Sequence, residues 1–112
     1  MINYNGKIFS VVTNSENGET SDKTVFIYQQ TGSILTAEYS GGKILKGQLI
    51  GLVDEYGNID MRYHQINDKG ELTTGICQSS PEILQNGKIR LHERWQWTSG
   101  DLSKGESILE EI

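Results

Sequence analysis

Cysteine is almost missing from this chain: Cys77 stands alone among 112 residues. One thiol excludes an intramolecular disulfide and any multi-thiolate zinc site, and it fits a reducing compartment. Positive charge is also scarce, with 10 Lys and Arg against 15 Asp and Glu and a net charge of −5. An acidic chain with scattered bases lacks the footprint of a nucleic-acid binder and has no basic patch for an anionic membrane. Long apolar runs are missing too. The longest, Leu49-Ile50-Gly51-Leu52-Val53, is far too short to span a bilayer. The opening Met1-Ile2-Asn3-Tyr4-Asn5-Gly6-Lys7 lacks a signal peptide's basic start and apolar stretch. A soluble cytoplasmic protein with no nucleic-acid or membrane partner is expected, built as one domain over residues 1–112.

A helical stripe is equally absent. Residues 102–112, with Asp101 as a cap, come nearest, but Gly105 and Ser107 interrupt them and Ser107-Ile108-Leu109 reads as strand. What the chain does have is punctuation. Turn clusters recur at Asn14–Gly18, Thr31-Gly32, Ser40-Gly41-Gly42, Asp54–Asn58, Asn67–Gly70, Ser79-Ser80-Pro81 running on to Asn86-Gly87, and Thr98–Asp101. Glycine supplies positive φ there, while Asn and Asp tolerate it and bond their own backbone. The eight segments between and around these turns are rich in β-branched and aromatic residues, which predicts strands over 6–13, 23–30, 33–40, 44–53, 58–66, 71–78, 88–98 and 104–111. A flat meander of eight strands leaves two bare edges and an uncovered apolar face, and closure removes both. The predicted fold is an all-β, eight-stranded antiparallel up-and-down barrel; the alternative is a two-sheet β-sandwich. Gly47, Gly51 and Gly75 fall mid-strand, as strongly coiled strands require.

Alternation defines the inside. In the seventh strand Ile89, Leu91, Glu93, Trp95 and Trp97 share one face, opposite Arg90, His92, Arg94 and Gln96. The fifth places Ile59, Met61 and Tyr63 inward, and the third Leu35, Ala37 and Tyr39. The fourth puts Leu45, Gly47, Leu49, Gly51 and Val53 inward, yet Ile44, Ile50 and Leu52 remain on its other face. The second is apolar on both faces, Phe26 and Tyr28 against Val25 and Ile27. Two-sided apolar strands predict a homodimer through that outer surface.

An eight-stranded barrel is either just filled by side chains or holds one small ligand. The candidate ligand-binding residues are Tyr28, Tyr39, Met61, Tyr63, Glu93, Trp95 and Trp97. Their aromatic rings offer wall area, and the hydroxyls and carboxyl offer orientation. At least one tryptophan ring is expected to plug the barrel end near the 98–103 turn, against Met61 or Tyr63. Two readings of Glu93 fit the pattern. It bonds tyrosine hydroxyls and buried water and specifies the barrel, or it lines a pocket. A buried Glu93 with a raised pKa would also suit acid–base chemistry.

No catalytic motif is present. His64 and His92 fall on the outer phase, where a polar ladder with Asp60 is the expected role, and two histidines make no metal site. Cys77 is expected as a small buried thiol. Ser79-Ser80 lacks a Gly-x-Ser-x-Gly elbow and reads as loop beside the single proline. Gly41-Gly42-Lys43 is hairpin punctuation rather than a phosphate loop. No cofactor is implied.

Three stretches resemble the avidin-like members of the calycin barrels: Gly6-Lys7-Ile8, with Ile8 where a tryptophan would stand; Leu35–Ser40, like the strand carrying a ligand-contacting tyrosine; and Trp95-Gln96-Trp97-Thr98-Ser99-Gly100. That resemblance implies a barrel open at one end, with Tyr39 and Trp95 near its pocket. Ser10 stands where a polar ligand contact would be, and Gly41 replaces a hydroxyl residue. Tyr39–Gly42, Gly51–Asp54, Met61–Gln65 and Trp95–Gly100 together also resemble a family of small bacterial proteins labelled N-acetylglutamate synthase. That label implies an acetyl-transfer enzyme. Such enzymes hold their pyrophosphate on a helix N-terminus and a Gly-rich loop, and neither is predicted here.

Overall fold

A computed structural model describes residues 2–112. It contains β1 (Ile8–Asn14), β2 (Val25–Thr31), β3 (Ile34–Gly41), β4 (Ile44–Val53), β5 (Ile59–Asn67), β6 (Leu72–Ile83), β7 (Ile89–Trp97) and β8 (Lys104–Glu111). Each strand pairs antiparallel with the next, and β8 returns to β1, so the barrel is closed. Closure excludes the sandwich alternative. Within the terminal segment, Lys104–Glu111 joins as strand rather than helix, with Val11 opposite Leu109.

Two expectations need correction. The serines and proline of 79–81 do not form a turn. β6 runs through them to Ile83, with Ser79 opposite Glu93 and Pro81 opposite Leu91. The ladder between β5 and β6 starts at Ser79 opposite Ile59. Residues 80–83 therefore have one unpaired edge, the strand setting in which a proline without an N–H is tolerated. In β4 the inward residue is Ile44, and Leu45 is exposed. A register shift between Ile44 and Lys46 inserts an extra residue there. Such a bulge resets the alternation, so Gly47, Leu49, Gly51 and Val53 keep the inward phase.

The two ends of the lumen differ. At one end the N-terminal segment lays Tyr4 across the barrel, fully buried, with its hydroxyl donating to the Gly57 carbonyl. Tyr4 packs on Phe9 and Tyr28, with ring centroids 6.3 and 6.0 Å apart. Leu35, Val53, Ile59, Leu91 and Leu109 complete this apolar half. At the other end, residues 15–24 cross the opening.

Candidate functional site

The second half of the lumen is lined by aromatic rings that lie over cross-strand glycines. Tyr39 faces Gly47, Tyr63 faces Gly75 and Trp95 faces Gly105. A Cβ at Gly47 would stand 2.2 Å from the Tyr39 ring, and one at Gly75 would stand 2.2 Å from that of Tyr63. These glycines are thus seats for rings, a use of strand glycine that also pins register. Tyr39 stacks on Phe26 at 4.4 Å, and Trp97 meets Trp95 and Tyr63 edge-on at 5.5 and 5.9 Å. The indole nitrogens are both satisfied. Trp95 Nε1 donates to Asn14 Oδ1 at 3.1 Å and Trp97 Nε1 to the Asn17 carbonyl at 3.0 Å.

These rings surround an interior cavity of about 50 Å³. Six of the seven candidate residues line it: Tyr39, Met61, Tyr63, Glu93, Trp95 and Trp97. Tyr28 does not. It points inward but belongs to the apolar half, its ring tilted against Phe9 at 4.8 Å, and its hydroxyl is buried without a hydrogen-bond partner. Alternation reports which face a residue takes; it does not report its depth along the lumen.

Glu93 lies at the base of the cavity and is the only charged side chain buried among the described residues. Its partners are serines rather than tyrosines. Ser79 Oγ donates to Oε2 at 2.7 Å, and Ser107 Oγ donates to Oε1 at 3.1 Å. Desolvation raises its pKa above the ordinary carboxyl value, against the lowering effect of the serine and Cys77 contacts. No buried lysine, arginine or histidine answers its charge among the described residues. Cys77 is buried next to it, and burial and the Glu93 carboxylate together push the thiol well above its usual pKa. It is therefore a poor nucleophile.

Sequence reasoning missed Ser79, Ser107 and Gln65. Gln65 is buried and accepts a hydrogen bond from the Tyr39 hydroxyl at 2.7 Å. Extending the inward alternation past Tyr63 reaches Gln65, and past Cys77 it reaches Ser79; reading 79–81 as a turn hid the latter. Glu19, which also lines the cavity, sits in a loop with no periodic signal. The histidines are on the outer wall, as expected from their phase. His64 Nε2 lies 3.1 Å from Gln48 Oε1, and His92 Nε2 lies 2.8 Å from Glu82 Oε1. Asp60 pairs with Arg62 instead.

A closed eight-stranded barrel with a small aromatic-walled cavity around one buried carboxyl defines the class of protein. The family model described as avidin-like protein matches residues 2–112, and the chain belongs to that family. The match supports the avidin-like resemblance and gives no support to the N-acetylglutamate synthase label. No curated protein and no solved structure matches the chain.

Proposed function

We propose that this avidin-like barrel binds a small, partly apolar molecule in the ring-lined half of its lumen, without catalysis. The observation that carries the reading is the cavity lined by Tyr39, Met61, Tyr63, Trp95 and Trp97 with Glu93 at its base. Rings supply contact area, and the single polar base supplies orientation. The ligand's buried part is not anionic, because no buried cation faces it among the described residues and an unpaired buried charge is costly. Both tryptophans of the chain line the cavity, so intrinsic fluorescence is the direct probe. Titration with fractionated metabolites should give a saturable change. Protein purified from its native host should carry a small molecule visible by native mass spectrometry. No saturable response together with no bound molecule sinks the reading.

A second reading makes Glu93 a general acid or base. Its support is a buried carboxyl with a raised pKa on the cavity wall. A turnover that persists in Glu93→Gln excludes it. On the outer wall, Val25, Ile27, Ile34, Ile50 and Leu52 are exposed on adjoining strands. This apolar face supports pairing of two copies as a homodimer.

A further inference from the structure

With residues 15–24 in place, the cavity is smaller than a bound ligand needs. A water needs about 10–15 Å³ of such space, and ligand sites run to roughly 300–1,000 Å³, whereas this one offers about 50 Å³. Something in its wall has to move. Strands are tied on both sides by ladders, but Gly18, Glu19 and Thr20 also line the cavity, and they belong to the longest connection of the barrel, residues 15–24.

That connection is rooted at one side and pinned at the other. On the β7–β8 side, Asn17 takes the Trp97 indole on its carbonyl and donates from Nδ2 to the Ser103 hydroxyl and the Lys104 carbonyl. Across the opening, the Glu19 carboxylate accepts three hydrogen bonds: Gln65 Nε2 at 2.8 Å, Asn67 Nδ2 at 2.7 Å and Thr73 Oγ1 at 2.8 Å. All three donors are neutral. The receiving cup is held independently of Glu19. The Tyr39 hydroxyl fixes Gln65, and the Lys69 and Glu71 amides donate to Asn67 Oδ1. A cup built in advance for one loop carboxylate is a device for fastening, because its geometry survives when the loop leaves.

Resting on the binding reading, we propose that residues 15–24 are a lid over the lumen and that the Glu19 carboxylate is the latch that holds it shut. Opening widens the mouth of the cavity and admits the ligand past Trp97. The latch depends on negative charge, so acid loosens it. Burial raises the Glu19 pKa, but the three donors and Lys43 outweigh that effect and leave it below the ordinary value. Stability of the closed lid is therefore present at neutral pH and lost as pH falls through that lowered pKa. The other titratable groups around the latch are Glu71, which shares the Asn67 amide, Tyr39 and Tyr63, kept neutral by burial, and Glu93 at the cavity base.

Hydrogen exchange and acrylamide quenching of the two tryptophans test the lid on the whole chain. In Glu19→Ala the amides of 15–24 should lose protection about tenfold or more, the effect of a lost charge-assisted hydrogen bond, while β3–β7 stay protected. Acrylamide should then quench the tryptophans more strongly than in the parent. If Glu19→Ala does not fold, Thr73→Val removes one donor and should act in the same direction, as should acid on the parent after correction for intrinsic exchange. Residues 15–24 that exchange only together with the core strands in every variant overturn the latch. A lid that opens over a lumen to which nothing binds sinks the binding reading alone. Saturable binding without separate opening of 15–24 sinks the lid alone.

Discussion

Ser79 and Glu93 face each other across the β6–β7 ladder, and the serine hydroxyl donates to the carboxylate at 2.7 Å inside the barrel. With Ser107 on the other oxygen, Glu93 has two hydroxyl partners and, among the described residues, no buried cation. Its folded pKa lies above its unfolded value, so between those two values the folded protein holds a proton that the unfolded chain has released. The resulting stability is complete below the unfolded value of about 4.3 and declines as pH rises through the folded pKa. Glu93→Gln should flatten that decline and be at least as stable as the parent at about pH 8. Glu93→Ala strands two hydroxyls and should cost about 1–3 kcal/mol. Urea unfolding across pH measures both. A Gln variant less stable than the parent only at alkaline pH would reverse the assignment.

Trp97 combines buried area with a hydrogen bond to the Asn17 carbonyl. Trp97→Ala and Trp95→Ala should each cost about 3–5 kcal/mol. Trp97→Phe keeps most of the area and loses the N–H, so about 0.5–1.5 kcal/mol is expected. Chemical denaturation separates these cases. If both alanine variants unfold within about 0.5 kcal/mol of the parent, neither ring is in the core.

The Gly47 seat makes a test of its own. The nearest atoms to a Cβ there all belong to the Tyr39 ring. Gly47→Ala should therefore destabilise by about 1–3 kcal/mol, as overpacking does, although alanine is otherwise a better strand residue than glycine. In a Tyr39→Ala background the same change should be neutral or favourable, with a coupling of about 0.5–3 kcal/mol. Additive effects would mean the ring does not occupy the seat.

The outer wall gives a prediction about assembly. Ile50 and Leu52 are 58% and 60% exposed in the single chain. Ile50→Lys should change monomer stability by no more than about 0.5 kcal/mol and abolish self-association in sedimentation. A parent that sediments as a strict monomer at high micromolar concentration removes the homodimer.

Much of this protein is legible without its structure, and the reason is local. The side chains of a strand alternate with a period of two, so the run Ile89, Leu91, Glu93, Trp95, Trp97 declares its own inner face, and the turn clusters mark where each strand stops. The places where legibility failed are those where a local rule was interrupted. A bulge beside Ile44 turned Leu45 outward, and a proline made the second half of β6 look like a turn.

Strand content, the inward phase of the tryptophans and Glu93, and the outward phase of both histidines are all written in the order of the residues. The folded barrel settles the choice between closure and a sandwich, puts Tyr28 below the cavity that Tyr39 lines, and gives Glu93 serine rather than tyrosine partners. It alone brings Glu19 to Gln65 and Thr73, 46 and 54 residues away, and Trp97 to Asn17, 80 residues away. Alternation is a property of each strand. Which side chains meet across the lumen depends on how far each strand slides along its neighbour before the barrel closes, and that is set by all eight ladders together.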